Sequence, residues 1–209
     1  MLSLSPMPYT LSPDLIAGVD EVGRGPCAGP VVAAAVIVPN HILSAPWIAA
    51  IQDSKKIAAK KRDYLYGEII SHCPYAIAES SVAEIDDINI LNAALLAMRR
   101  AVLALSPAPE LVLVDGNKLP ELPMRGQTVI GGDGKILSIA AASIVAKVYR
   151  DRLMAQLAGD HPQYGWAQNA GYGTAMHLTA MQQYGVTPHH RKSFAPVRQI
   201  LENTNKSAA

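Results

Sequence analysis

The stretch AGVDEVGRGPCAGPVVAAAVIVP, Ala17 to Pro39, dictates how the rest of this chain must be arranged. Two apolar runs, Leu15 to Val19 and Val31 to Val38, flank a charged corner that holds Asp20, Glu21, Gly23, Arg24 and Gly25. β-Branched enrichment and the bounding Gly and Pro residues favour strands over a helix, so the stretch predicts strand, turn, strand. Neighbours in a regular strand point to opposite faces, and a task shared by Asp20 and Glu21 therefore predicts that the strand ends or bulges there. Gly23 and Gly25 make such a break easy.

The remaining elements follow from periodicity. Residues 1–13 carry Pro6, Pro8 and Pro13 and little to bury, which predicts a loose arm. Lys60 to His72 has Leu65, Ile69 and Ile70 at helical spacing, and Tyr75 to Val82 alternates before Glu84, Asp86 and Asp87, acids suited to the first turn of a helix. Ile88, Leu91, Leu95, Met98, Val102 and Leu105 then recur at three- and four-residue steps. Glu110 to Val114 reads as a buried strand ending in Asp115-Gly116-Asn117, and Gln127 to Ile130 as another before Gly131-Gly132-Asp133. Ser138 to Leu157 is an alanine-rich helix able to pack closely. Helices at Thr174 to Gln183 and Pro196 to Leu201 follow, and residues 203–209 read as a disordered tail. The order predicts an α/β layer with a mixed sheet, giving way near Asp160 to a helical portion.

Half of the 209 residues are apolar, enough for a proper core. Lys and Arg number 18 against 17 Asp and Glu, a net charge of +1, which excludes a globally basic coat and leaves only local basic patches for nucleic acid. Cys27 and Cys73 have no paired or finger-like spacing, so neither a disulfide framework nor a structural zinc site is expected. The first residues lack a basic signal region and no apolar run approaches the ~20 residues of a membrane span, so a soluble cytoplasmic protein is expected.

Three predicted strands close on carboxylates: Asp20 with Glu21, Asp115, and Asp133. Ligands of open α/β sheets gather at the carboxyl ends of parallel strands. Two carboxylates ~4 Å apart repel by roughly 4 kcal/mol at an effective dielectric near 20, so acids that meet there need cations. Oxygen donors without His or Cys suit Mg²⁺ or Mn²⁺. Met alone, an Asp before Gly is more commonly a turn residue, and spacing does not separate the two readings. Ser54, Lys55 and Lys56 precede a basic helix start and form a candidate phosphate clamp, although solvated lysines commonly look the same. Lys147 and Arg150, at i,i+3, could share one phosphate-facing side of their helix, and Asp151 reads as a local salt-bridge or capping acid. His189 to Phe194, HHRKSF, is read as phosphate contact or packing, because adjacent histidines do not easily converge on one ion.

DEVGRGP, DSKK at Asp53 to Lys56, VDGN at Val114 to Asn117, GGD at Gly131 to Asp133, AASIVAKVYRD at Ala141 to Asp151 and GYGT at Gly171 to Thr174 occur in an order that resembles ribonuclease HII. The resemblance runs from Ala17 to about Val197. It implies a ribonuclease H-like mixed five-stranded sheet flanked by helices over residues 14–160, and a small helical substrate-binding portion over 161–202. It implies an endoribonuclease that cuts the RNA strand of RNA–DNA hybrids and the 5′ side of single ribonucleotides in duplex DNA, leaving 5′-phosphate and 3′-hydroxyl ends. Asp20, Glu21, Asp115 and Asp133 match the family's catalytic acids, which hold two Mg²⁺ or Mn²⁺ ions. The backbone of Gly23, Arg24 and Gly25 would read the ribose 2′-hydroxyl, and Tyr172 would stack at the RNA–DNA junction. Gly132 departs from relatives that carry lysine there, which touches only an auxiliary basic contact.

Three other readings compete. A nucleic-acid-binding module without turnover would keep the shape, but the intact acid set speaks against it. The ribonuclease HIII type needs an N-terminal substrate-binding domain, for which some 16 residues before the first strand are too few. A phosphotransferase lacks its phosphate loop, since neither GxxxxGKS nor GxxxxGKT occurs. A monomer is expected, and no protein partner can be inferred.

Overall fold

The computed structural model describes residues 12–207. Five strands, β1 (Ile16–Val22), β2 (Val31–Ile37), β3 (Tyr75–Ser80), β4 (Leu111–Asp115) and β5 (Arg125–Val129), form one sheet in the order β3-β2-β1-β4-β5. β1, β2 and β3 pair antiparallel, whereas β4 lies parallel to β1 and β5 parallel to β4. The parallel step needs a crossover, supplied by helix α2 (Val82–Ala104). The expected mixed five-stranded sheet is present.

Alternation sorts the side chains into two layers. Val19, Ala33, Ala35, Val112 and Val114 face the small residues Ala93, Ala97 and Ala101 of α2. Val32, Ala34 and Val36 face the other way, onto α1 (Ala59–His72) and α3 (Leu137–Asp160). β2 is buried throughout, which is why it reads as an unbroken apolar run. A third cluster joins Tyr164, Trp166, Met181 and Val197, from α4 (Trp166–Asn169), α5 (Ala175–Tyr184), α6 (Ala195–Ser207) and the turn before them, to Met154 of α3 and to Cys27 and Ala28 of the corner.

α2 starts earlier than its apolar repeat does. Ser81 and Glu84 form a reciprocal capping box, and Glu84 also receives Arg100 at 2.6 Å. Asp86, expected to serve the same first turn, instead accepts the backbone N–H groups of Lys192 and Ser193. Asn89 breaks the helix at φ 67° and restarts it by accepting from the Leu91 and Asn92 N–H groups. Of the expected disordered tail, residues 203–207 continue α6, since no Gly or Pro interrupts it, and residues 208–209 lie outside the described range. Most of the expected N-terminal arm, residues 1–11, also lies outside it. Among the described residues no helix is long and apolar enough to cross a membrane.

Candidate active site

β1 neither ends nor bulges at its two acids, contrary to expectation: the ladder with β2 runs on through Asp20↔Ala34, Glu21↔Ala33 and Val22↔Val32. The break occurs on the other edge only. Pairing of β1 with β4 stops at Val19↔Val114, so Asp20 and Glu21 stand level with and beyond the last residue of β4, Asp115. Pleating sends Glu21 to the α2 side, where it lines a cavity of about 90 Å³ with Arg24, Met98, Asp115, Asn117 and Lys118. Asp20 points to the α3 side, towards the Ser143 hydroxyl.

The three carboxylates act on one another. Asp20 is 7% exposed, and burial, then Glu21, then Asp115 hold its carboxyl well above the usual aspartate range, against hydrogen bonds from Ser143 and the Glu21 N–H. Burial also raises Glu21, opposed by the Arg24 guanidinium at 3.3 Å and reinforced by Asp115. Among the described residues no Lys or Arg forms an ion pair with Asp20. Asp133 sits in a short turn after β5 (Gly132–Gly134) and borders a separate hollow with Gln52 and Lys135. The Gly132 N–H donates to Asp115 at 2.6 Å, which holds the Asp133 backbone within about 8 Å of that carboxylate. Among the described residues no three His, Cys, Asp or Glu side chains are already closed around an ion-sized site. The donor set is nevertheless all hard oxygen, and a desolvated carboxylate without a cationic side chain is what a divalent ion compensates.

The corner after β1 is held from beneath by two arginines. Gly23 (φ 96°) turns the chain against Arg150, whose side chain occupies the space of a Cβ there. Arg150 is 1% exposed and donates to the carbonyls of Ala28, Pro30 and Ala170. Arg191, fully buried, donates to those of Gly23, Arg24, Gly29 and Pro30. Burial and then the neighbouring Arg150 push Arg191 down to about 9, which leaves it charged at neutral pH. Tyr172 is 46% exposed, and its ring edge lies 3.3 Å from where a Cβ on Gly25 would be.

Other expected contacts are redirected. Arg150 cannot share a phosphate-facing side with Lys147, because it is interior and its donors are taken up by carbonyls. Lys147 pairs with Asp151 at 2.7 Å, and Arg62 approaches the same acid, which bears out the salt-bridge role of Asp151. Ser54 is buried, and its hydroxyl lies 2.8 Å from that of Ser143. Either hydroxyl can donate in that pair, and through Ser143, which faces Asp20, Ser54 supports the acid from behind instead of clamping phosphate. Lys55 and Lys56 remain exposed, Lys56 loosely paired with Asp53 at 3.7 Å. In HHRKSF the packing alternative holds for His190 and Arg191, both fully buried. Sequence reasoning missed Ser143 and Arg191. The first was signalled by a hydroxyl inside an apolar helical run, and the second was overshadowed by the histidines before it.

The family model described as ribonuclease HII matches residues 17–197. The ribonuclease HII of Rhodospirillum rubrum is 57% identical over 188 residues, covering 89% of this chain and 86% of the relative, and that of Ruegeria pomeroyi is 56% identical over 187 residues, covering 89% and 78%. Among solved structures, the ribonuclease H2 of Pyrococcus horikoshii OT3 superposes with a TM-score of 0.76 at 26% identity, covering 91% of this chain and 99% of that one. A Bst ribonuclease HIII in complex with Mn²⁺ shares the fold at a TM-score of 0.69 and 20% identity, covering 91% and 70%. With its acids at the overhanging end of β1 and a match of this extent, the chain belongs to the ribonuclease HII family.

Proposed function

We propose that this chain, by family a hydrolase of the RNA strand, cuts RNA–DNA hybrids and the 5′ side of single ribonucleotides in duplex DNA, leaving 5′-phosphate and 3′-hydroxyl ends. Asp20, Glu21, Asp115 and Asp133 would hold two divalent ions, Mg²⁺ or Mn²⁺. Such ions supply Lewis-acid stabilisation of the phosphodiester and a more acidic water. The observation that carries the reading is Asp20, a buried carboxylate beside two others with no cationic side chain paired to it among the described residues.

The chain's own groups set up the rest. Ser54 and Ser143 orient the Asp20 carboxylate, and the Gly132 N–H orients that of Asp115. Arg24 steadies Glu21, and the backbone of Gly23, Arg24 and Gly25 senses the ribose hydroxyl. A site built around a hydroxyl can reject its absence by about 10⁴–10⁵. Tyr172, beside Gly25, would cover the RNA–DNA junction, and the exposed Lys55 and Lys56, the latter only loosely held by Asp53, would meet phosphates. Asp20→Asn is expected to abolish cleavage of a duplex carrying one ribonucleotide, with Mg²⁺ or Mn²⁺ present, while hybrid binding stays measurable. Full activity in that variant refutes the site. A wild-type protein that binds but never cleaves would instead mark a non-catalytic module.

A further inference from the structure

Arg191 lies deep in the interior, where burying a charge without a carboxylate is costly. A methionine would fill the same space without that cost. What only a guanidinium adds is a rigid planar set of donors, and here they end on the carbonyls of Gly23, Arg24, Gly29 and Pro30, at 2.6 to 3.2 Å. In a trans peptide the carbonyl of one residue and the N–H of the next point in opposite directions. Drawing the Gly23 and Arg24 carbonyls inward therefore turns the Arg24 and Gly25 N–H groups outward, onto the side of the loop away from Arg191. Neither N–H has a backbone or side-chain acceptor among the described residues. Arg191 is anchored in turn, since its own N–H donates to Cys27 O and the Gly29 N–H donates to His189 O.

We propose that Arg191 is a positioning residue for hydroxyl recognition: it fixes the Gly23–Gly25 backbone so that two adjacent, unspent N–H donors face the ribose 2′-oxygen. The inference rests on the loop's ribose-sensing role proposed above and assigns the group that enforces it. Lysine is a poor substitute, because one ammonium cannot span four carbonyls in a plane.

The test is binding in EDTA, without cleavage, of a duplex DNA carrying one ribonucleotide and of the same duplex in all-DNA form. Wild-type protein is expected to prefer the ribonucleotide duplex, and Arg191→Met and Arg191→Lys to lower that preference at least about tenfold while all-DNA affinity stays within about twofold. Leu65→Ala, a core cavity in α1 remote from the loop, serves as a destabilised control that keeps the preference. If the methionine variant does not fold, the lysine variant, which retains charge and most of the volume, carries the comparison. On unmutated protein, the Arg24 and Gly25 amide resonances should shift with the ribonucleotide duplex and not with the all-DNA duplex. Wild-type preference in a folded Arg191 variant, an equal loss in Leu65→Ala, or unmoved amides overturn the proposal. A wild-type protein with no preference refutes the ribonucleotide reading itself, and the inference falls with it.

Discussion

Asp20 shows how a fold retains a side chain that its own energetics oppose. Burial and two neighbouring acids raise its carboxyl, so the folded chain holds that proton more tightly than the unfolded chain does. The sign follows from linkage: stability falls as pH rises from the ordinary aspartate range through the raised value, and above it the cost persists in full. Asp20→Asn removes the charge and keeps the shape, so its thermal midpoint at pH 7.5 should lie above that of the wild type. Each kcal/mol relieved moves the midpoint by ~2–4 °C in a chain of this size, which scanning calorimetry in EDTA resolves. Mn²⁺ or Mg²⁺ should reverse the ranking. Bound to the folded form, the ion stabilises the wild type by about 2.7 kcal/mol at a hundredfold excess over Kd, and it should leave Asp20→Asn nearly unmoved. Equal metal response in both proteins would remove Asp20 from the ion site.

Helix α3 against β1 is the packing that makes the acid pocket possible. A Cβ on Gly18 would lie 2.2 Å from the Ile139 backbone nitrogen, so the helix approaches as closely as a bare backbone allows and brings Ser143 to Asp20. Gly18→Ala should force the two elements apart and cost about 3 kcal/mol or more in urea unfolding. Gly67→Ala, in the middle of α1 with open space around it, should instead gain about 0.5–1 kcal/mol. A harmless Gly18→Ala would mean that the contact is slack. The same helix shows where the sequence was readable. Ser138 to Leu157 was evident as an alanine-rich helix, and β1, β2 and α1 were evident from branching and spacing. Periodicity told that Lys147 and Arg150 lie three apart, but not which way Arg150 points. Ile139 to Ala146 are all buried, so α3 has no polar face along that stretch to set its phase. Asp115 was legible as a strand-end residue, whereas Asp20 and Glu21 lie inside β1 and Asp133 in the turn after β5. The separation of Asp20 and Glu21 onto two faces of an unbroken β1 was not legible, because where the β4 partner stops is a tertiary fact. Arg191 was harder still, since it serves a loop more than 160 residues earlier and local spacing carries no trace of that.

The sheet body and the C-terminal helices are joined by the same corner that carries the site. Cys27 N–H donates to Gly171 O at 2.8 Å, and Tyr164, Trp166, His177 and His190 form one buried aromatic knot behind it. Thr187 N–H donates to His190 Nδ1, which places that ring's proton on Nε2, facing His177 Nε2 at 3.1 Å. Trp166 Nε1–H also donates to His177 Nε2, so His177 carries its proton on Nδ1 and gives it to the Tyr172 carbonyl. Neither ring has a place for a second proton. Burial, then His177, lowers His190 to about 4, and burial also lowers His177; His189 and His161 nearby add repulsion to His190. For a base lowered on folding, the unfolded chain takes up protons first, so stability is present above ~6.5 and is lost as pH falls towards about 4. The loss from His190 is on the order of 3 kcal/mol over that interval. Asp20 works in the opposite sense, gaining stability on acidification, and partly masks it. Urea unfolding of Asp20→Asn between pH 7 and 4 should therefore fall more steeply than that of the wild type. Adding His190→Asn, whose side-chain oxygen can still accept from Thr187, should flatten the acid limb while lowering the plateau at pH 7. An acid limb unchanged by His190→Asn would place the proton uptake elsewhere and leave the knot as packing alone.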